Sequence, residues 1–249
     1  MEDEAGPVLA AIRGAFGTST RLAGLAPDLV VRDPSGWAEP DADLLLPAAE
    51  RHWPAQPHVA AALMWKAYSY WLAVPAAFSW VAARRVPRLT TADVLIQLDS
   101  PQGPIRLGLR SAVPAAVLPS DPLAGPGVRV AADDDALLAE LRRVLLDEHA
   151  EPLLAAVQRK VRIGRRPLLG SLAANIAHAA RHAARAVPGA STREVGTLLA
   201  ALGLDDLVEW TADPAGAVTV TRRTCCLAFT LPQPRWCSDC CCPPPVRPG

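Results

Sequence analysis

Apolar positions spaced by three and four open the chain, with Leu9, Ile12 and Phe16 on one helical face. Leu44-Leu45-Leu46 is a second short apolar piece, which Pro47 is expected to end. From His58 to Ala83 the chain is apolar almost throughout. Its polar positions include Lys66, Tyr68, Ser69, Tyr70 and Ser79, and Pro75 lies inside it. Pro57 suits a first helical turn, so a long helix is expected from there through Ala73, kinked or broken before Pro75. A membrane span needs about 20 mostly apolar residues. The charge-free run 67–83 is marginal by that measure and holds four polar side chains and a proline. A buried helix pair is therefore expected, anchored in the core by Trp65, Trp71, Phe78 and Trp80.

The period then drops to two. Val94, Ile96 and Leu98 form one alternating run, and Ile105, Leu107 and Leu109 another, with turn chemistry over 99–104 between them. A proline-rich loop over 114–126 and a short strand at Val128 and Val130 follow. Helical spacing returns at Leu137, Leu138, Leu141, Val144 and Leu145, behind Asp133 to Asp135, where acids favour a helix start. Pro152 is expected to start a separate helix reaching Lys160, and Arg162 to Arg166 to form a basic linker before a helix over Leu168 to Ala186. Ser191-Thr192-Arg193-Glu194 reads as a capping box, with Gly203 at the end of that helix. Val218, Val220, Leu227, Phe229 and Leu231 alternate again in a β-like way. The expected fold class is α+β, in two parts. Residues 1–214 form a mostly helical body with a small antiparallel sheet, and 215–249 a short C-terminal Cys-rich β module.

Composition adds little until the cysteines are placed. The 249 residues are 51% apolar, which argues against general disorder, and the 25 acids cancel the 25 bases, which argues against coating nucleic acid. Only Lys66 and Lys160 are lysines; the other bases are arginines. Met1-Glu2-Asp3-Glu4 lacks the positive start of a secretory signal, so the cytoplasm is the expected compartment. Cysteine clusters there serve metal or redox chemistry more often than disulfides.

All 6 cysteines lie between Cys225 and Cys242. Cys225-Cys226, ten residues, Cys237, two residues and Cys240 make a four-thiolate pattern that suits zinc or an iron–sulfur cluster. Structural zinc sites usually separate paired ligands by two or more residues, and neighbours on an extended strand face opposite ways. The adjacent pair Cys225-Cys226 therefore leans toward the wider two-iron cluster without deciding the matter.

Arg222-x-x-Cys225-Cys226-Leu227-x-Phe229, with Cys237-x-x-Cys240 ten residues on, resembles the C-terminal module of the FhuF-type ferric-siderophore reductase family. Glu148-His149-Ala150-Glu151-Pro152-Leu153-Leu154 and the aromatic helix before a strand pair are similar in kind. The resemblance implies a [2Fe–2S] cluster on Cys225, Cys226, Cys237 and Cys240. It also implies a one-electron reduction of chelated Fe³⁺ that releases Fe²⁺. The implied partners are a ferric siderophore and a cytosolic electron donor, with contact at the inner membrane or a siderophore importer where chelate arrives. This chain departs from the pattern at Cys241 and Cys242, either of which could replace Cys240. Pro243 to Pro245 favour an extended end.

Four arginines (Arg222, Arg223, Arg235, Arg247) face one acid, Asp239, over 216–249, a balance of +3. Arg222, Arg223 and Arg235 are candidates for docking an anionic chelate or for plain solvation. His178 and His182 lie four apart on an expected helix, and His149 is a candidate for a substrate pocket. None sits in a known zinc motif, so core or surface packing is expected. Trp236 is expected to shield the cluster, and Trp210 to pack. No phosphate-binding glycine motif or nucleophile–His–acid set is present. This leaves little for a siderophore-assembly enzyme. The main alternative is a structural zinc module on a siderophore-binding or interaction protein without redox activity.

Overall fold

The computed structural model describes residues 6–17, 24–100, 103–214 and 216–242. The fold is α+β and organised around one helix, α3 (Pro57–Ala83), buried over most of its length from Val59 to Trp80. A helix that is apolar all round belongs inside, and α3 is surrounded by α1 (Gly6–Phe16), α2 (Ala42–His52) and the long α6 (Arg165–Ala186). Trp65, Phe78 and Trp80 are fully buried, as expected, whereas Trp71 is half-buried. Among the described residues, no helix is long and apolar enough to cross a membrane.

Three prolines expected to end or begin helices lie inside helical runs. Pro47 is within α2, and Pro75 lies within α3, which stays one helix instead of a pair. A missing N–H costs one bond, and the apolar faces packed on both sides of these prolines outweigh it. Pro152 lies in one helical run over 134–160: α4 (Asp134–Arg142), a π-helical stretch (Arg143–Ala150) and α5 (Glu151–Lys160). Glu151 N–H donates to the Leu146 carbonyl, five residues back, so Pro152 falls where the hydrogen-bond register changes and a donor is dispensable.

The capping box is also redirected. Ser191 Oγ accepts from Arg193 N at 3.1 Å, but the Glu194 carboxylate accepts from Trp80 Nε1 at 2.7 Å and from Arg84 at 2.5 Å. It ties α7 (Glu194–Leu202) to the end of α3. Gly203 closes α7 in the left-handed region, as expected.

The body carries mixed sheets in place of one antiparallel sheet. β3 (Val94–Ser100) and β4 (Gly103–Leu109) pair antiparallel as expected, and β1 (Leu25–Val30) adds to β4 in parallel with an irregular register. β2 (Arg85–Val86), β5 (Ala116–Val117) and β6 (Arg129–Val130) make a second small sheet. A hairpin of β7 (Val208–Ala212) and β8 (Val218–Arg222) follows, and the boundary expected near 214 falls in its turn. Val218 and Val220 join the main core.

Among the described residues the last strand ends at Arg222, before the first cysteine. Leu227, Phe229 and Leu231 do not form a strand. Leu227 takes a left-handed conformation at φ 65°, and Ala228–Thr230 is a single 3₁₀ turn. The three C-terminal prolines and Arg247 lie outside the described residues, as do two positions of the 99–104 turn.

Candidate metal centre and adjoining cavity

The cysteine segment is held against the helical body in two ways. Val59 and Leu63 of α3 bury an apolar cluster with Cys226 and Ala228. Beside it, Arg222 and Asp239 form a buried ion pair, with Nε–Oδ2 at 2.7 Å. Arg222 also donates to Ser171 Oγ of α6 at 3.1 Å, and His178 Nε2 lies 3.0 Å from Asp239 Oδ2. Burial opposes the Asp239 charge, but the His178 hydrogen bond and the Arg222 cation hold the carboxyl well below the usual range. At Gly170 of α6 an added Cβ would lie 1.9 Å from Thr224 Oγ1, so glycine permits the close approach of this segment.

The six sulfurs fall into two neighbourhoods. Cys226 and Cys237 lie 3.2 Å apart, bridged by a residue the sequence had offered only as an interruption of an apolar helix. Lys66 Nζ is 2.8 Å from Cys237 Sγ and 3.8 Å from Cys226 Sγ. The Lys66 carbonyl accepts from Asn175 Nδ2 of α6 at 3.0 Å, which fixes this turn of α3. The pair parts with one proton easily and the second with difficulty. A thiol hydrogen bond from Cys237 stabilises the Cys226 thiolate against burial, with help from the Lys66 charge, and the same coupling holds Cys237 protonated.

Cys225, Cys241 and Cys242 form the second group, their sulfurs all within 4.8 Å of one another. This group could hold a metal. Burial raises the Cys225 thiol, and burial with the neighbouring Cys242 pushes Cys241 up to about 12, as expected for crowded thiols without a cation to ionise them. Cys240 Sγ accepts from Cys242 N at 3.4 Å. The expected set of Cys225, Cys226, Cys237 and Cys240 is thus divided between the two neighbourhoods. Cys241 and Cys242, where the chain departs from the family pattern, stand beside Cys225.

The other candidates separate cleanly. Arg222 is 3% exposed and committed to Asp239, so it is a structural tether and not a docking side chain. Arg223 and Arg235 are exposed. His178 serves Asp239, and His182 stacks near Phe16, ring centres 5.1 Å apart. His149 lines no substrate pocket. Its Nδ1–H donates to the Leu89 carbonyl and its Nε2 accepts from the Tyr68 hydroxyl, all in the core. Trp236 is 37% exposed, and Trp210 packs over Gly196.

A cavity of about 410 Å³ opens beside the first sulfur pair. Lys66, Cys237, Trp53, Tyr70, Trp71 and Arg235 contribute to its lining. No family model, curated protein or solved structure matches this chain.

Proposed function

We propose that the chain is a [2Fe–2S] ferric-siderophore reductase acting in the cytoplasm, as its resemblance to the FhuF-type family implies. The observation that supports this most is the gathering of the thiols into two groups, one of which lines a cavity through Cys237. The chemistry of the donors suits the cluster, since all six are free cysteines able to act as thiolates. Tetrahedral thiolates at about 2.3 Å from a metal sit roughly 3.8 Å from each other. Cys226 and Cys237 approach that spacing at 3.2 Å, and two sulfurs of the Cys225 group, themselves within 4.8 Å of one another, would supply the second pair.

A cluster held by Cys226, Cys237 and two thiols of the Cys225 group would supply a one-electron couple, with chelated Fe³⁺ as the acceptor, released as weakly held Fe²⁺, and a one-electron carrier protein as the donor. The chain's own residues set the conditions. Lys66 places a cation against the Cys226/Cys237 sulfurs and so favours the more negative reduced state. The Arg222–Asp239–His178 set fixes the loop that carries Cys237 and Cys240. Arg235 and Trp236 stand at the exposed edge where a chelate would approach.

A second reading has its own observation. Cys225, Cys241 and Cys242 are compact enough to bind a single ion, which suits a structural zinc site without redox activity. Anaerobic purification with iron, acid-labile sulfide and zinc analysis separates the two. The reductase reading expects about two irons and two sulfides per chain and visible absorbance. Stoichiometric zinc without sulfide would overturn it.

A further inference from the structure

The cavity beside Cys237 has a composition that selects its occupant. Its walls include the rings of Trp53, Tyr70, Trp71 and Trp236, and its charged lining consists of Lys66 and Arg235 with no acid among them. Two cations disfavour a cationic guest, so the aromatic faces are not a cage for an ammonium. An aliphatic anion would satisfy the cations but make no use of the ring surface that the four aromatic side chains contribute to the lining. A flat aromatic anion meets both demands, its ring offset-stacked on indole faces and its oxygens toward ammonium and guanidinium. At about 410 Å³ the space lies within the range of roughly 300–1,000 Å³ common for small-molecule sites. A second cavity of about 300 Å³ shares Trp53, Leu231 and Arg235 with the first and adds Pro54 and Pro232, further flat apolar surface.

We propose that these adjoining cavities bind the aryl arms of an iron chelate, of the catecholate or hydroxybenzoate class. This rests on the reductase reading for its role and names the substrate class of that site. Such arms carry their negative charge on oxygens attached to the ring. One arm beside Lys66 would bring its iron close to the Cys226/Cys237 sulfurs, while a second arm occupies the adjoining space past Arg235.

The probe is 2,3-dihydroxybenzoate, titrated by calorimetry into the full chain as purified, with cyclohexanecarboxylate as a non-aromatic anion of similar size. Saturable binding is expected for the aryl acid, at least tenfold tighter than for the cyclohexyl acid. Arg235→Gln and Trp236→Leu, both at exposed positions, should each weaken it about tenfold while leaving the melting temperature unchanged. Equal affinity for the two acids, or wild-type affinity in both variants, would overturn the proposal. Iron and sulfide analysis of the same samples keeps the two ideas apart. Chain without iron that still binds the aryl acid supports the pocket and removes the redox role. Chain with iron and sulfide that ignores the aryl acid removes the pocket and leaves the redox role standing.

Discussion

Cys241 and Cys242 carry the sharpest disagreement between spacing and space. Counting residues favours Cys240 as the fourth ligand, because a two-residue gap from Cys237 is the familiar arrangement. Folding brings Cys241 and Cys242 beside Cys225, with Cys240 Sγ accepting from Cys242 N in the same neighbourhood. The double variant Cys241→Ser/Cys242→Ser should therefore lose most of its bound metal, whereas Cys240→Ser should keep at least half; metal analysis per chain reads the difference. Lys66 was hidden for another reason. A single lysine in an apolar helix reads as an interruption, and its meaning depends on a partner 171 positions away, at Cys237. The one available signal was its rarity, since Lys160 is the only other lysine. His149 shows the reverse case, a polar residue whose role is structural. Burial lowers its pKa to about 4 from 6.5. The unfolded chain thus binds a proton that the folded chain refuses between those values, and stability falls as pH drops from about 6.5 through about 4. The full effect is on the order of 3 kcal/mol. Melting at pH 7 and pH 5 should show a smaller acid loss in His149→Gln than in wild type, whatever the variant's absolute stability.

Elements whose signal is local were legible, and those defined by a distant partner were not. β3 and β4 follow their period-two runs, and α4 begins behind Asp133, whose side chain accepts from Ala136 N at 2.8 Å. β1 contains Pro27 and Asp28 and has Leu29 at φ 64°, so it has no alternation to read; it is a strand because β4 lies beside it. The three internal prolines belong to the same class, since local chemistry argues for a break and tertiary packing overrides it. The cysteine segment was expected as strand for want of knowing that Gly170 lets it settle on α6. Gly170→Ala tests that contact. Its Cβ would meet the Thr224 side chain at 1.9–2.9 Å, and both sides are buried. A cost of about 1–3 kcal/mol is expected. Because the strain falls on the cysteine segment, metal retention should drop more steeply than the helical signal in circular dichroism. Loss of helix and metal in parallel would show that the segment is not separately sensitive.

For the whole molecule, balanced charge conceals an uneven distribution. Over the described part of the cysteine segment, Asp239 is paired internally with Arg222 and hydrogen-bonded to His178, which leaves Arg223 and Arg235 as the outward charges, Arg235 in the cavity lining. Cations placed around a cavity mouth raise the local concentration of an anionic partner, and salt removes that advantage as the screening length shrinks from about 10 Å at 0.1 M to about 3 Å at 1 M. Arg223→Glu/Arg235→Glu should therefore slow electron transfer to an anionic ferric chelate several-fold at low salt. The difference should nearly vanish at high salt, and a neutral chelate should show little change at either. Exposed charges interact weakly through water, so the reduction potential should move only slightly. Arg222→Glu should behave differently in kind. It sets two carboxylates together in a buried site, so it should release the cysteine segment and lose metal at any ionic strength. Stopped-flow oxidation of the pre-reduced protein at two salt concentrations, with metal analysis of each variant, distinguishes these roles. If the double variant matches wild type at low salt, Arg223 and Arg235 merely solvate the segment. Chelate capture then depends on the aromatic walls of the cavity, where Trp53 and Trp71 supply contact that salt does not screen.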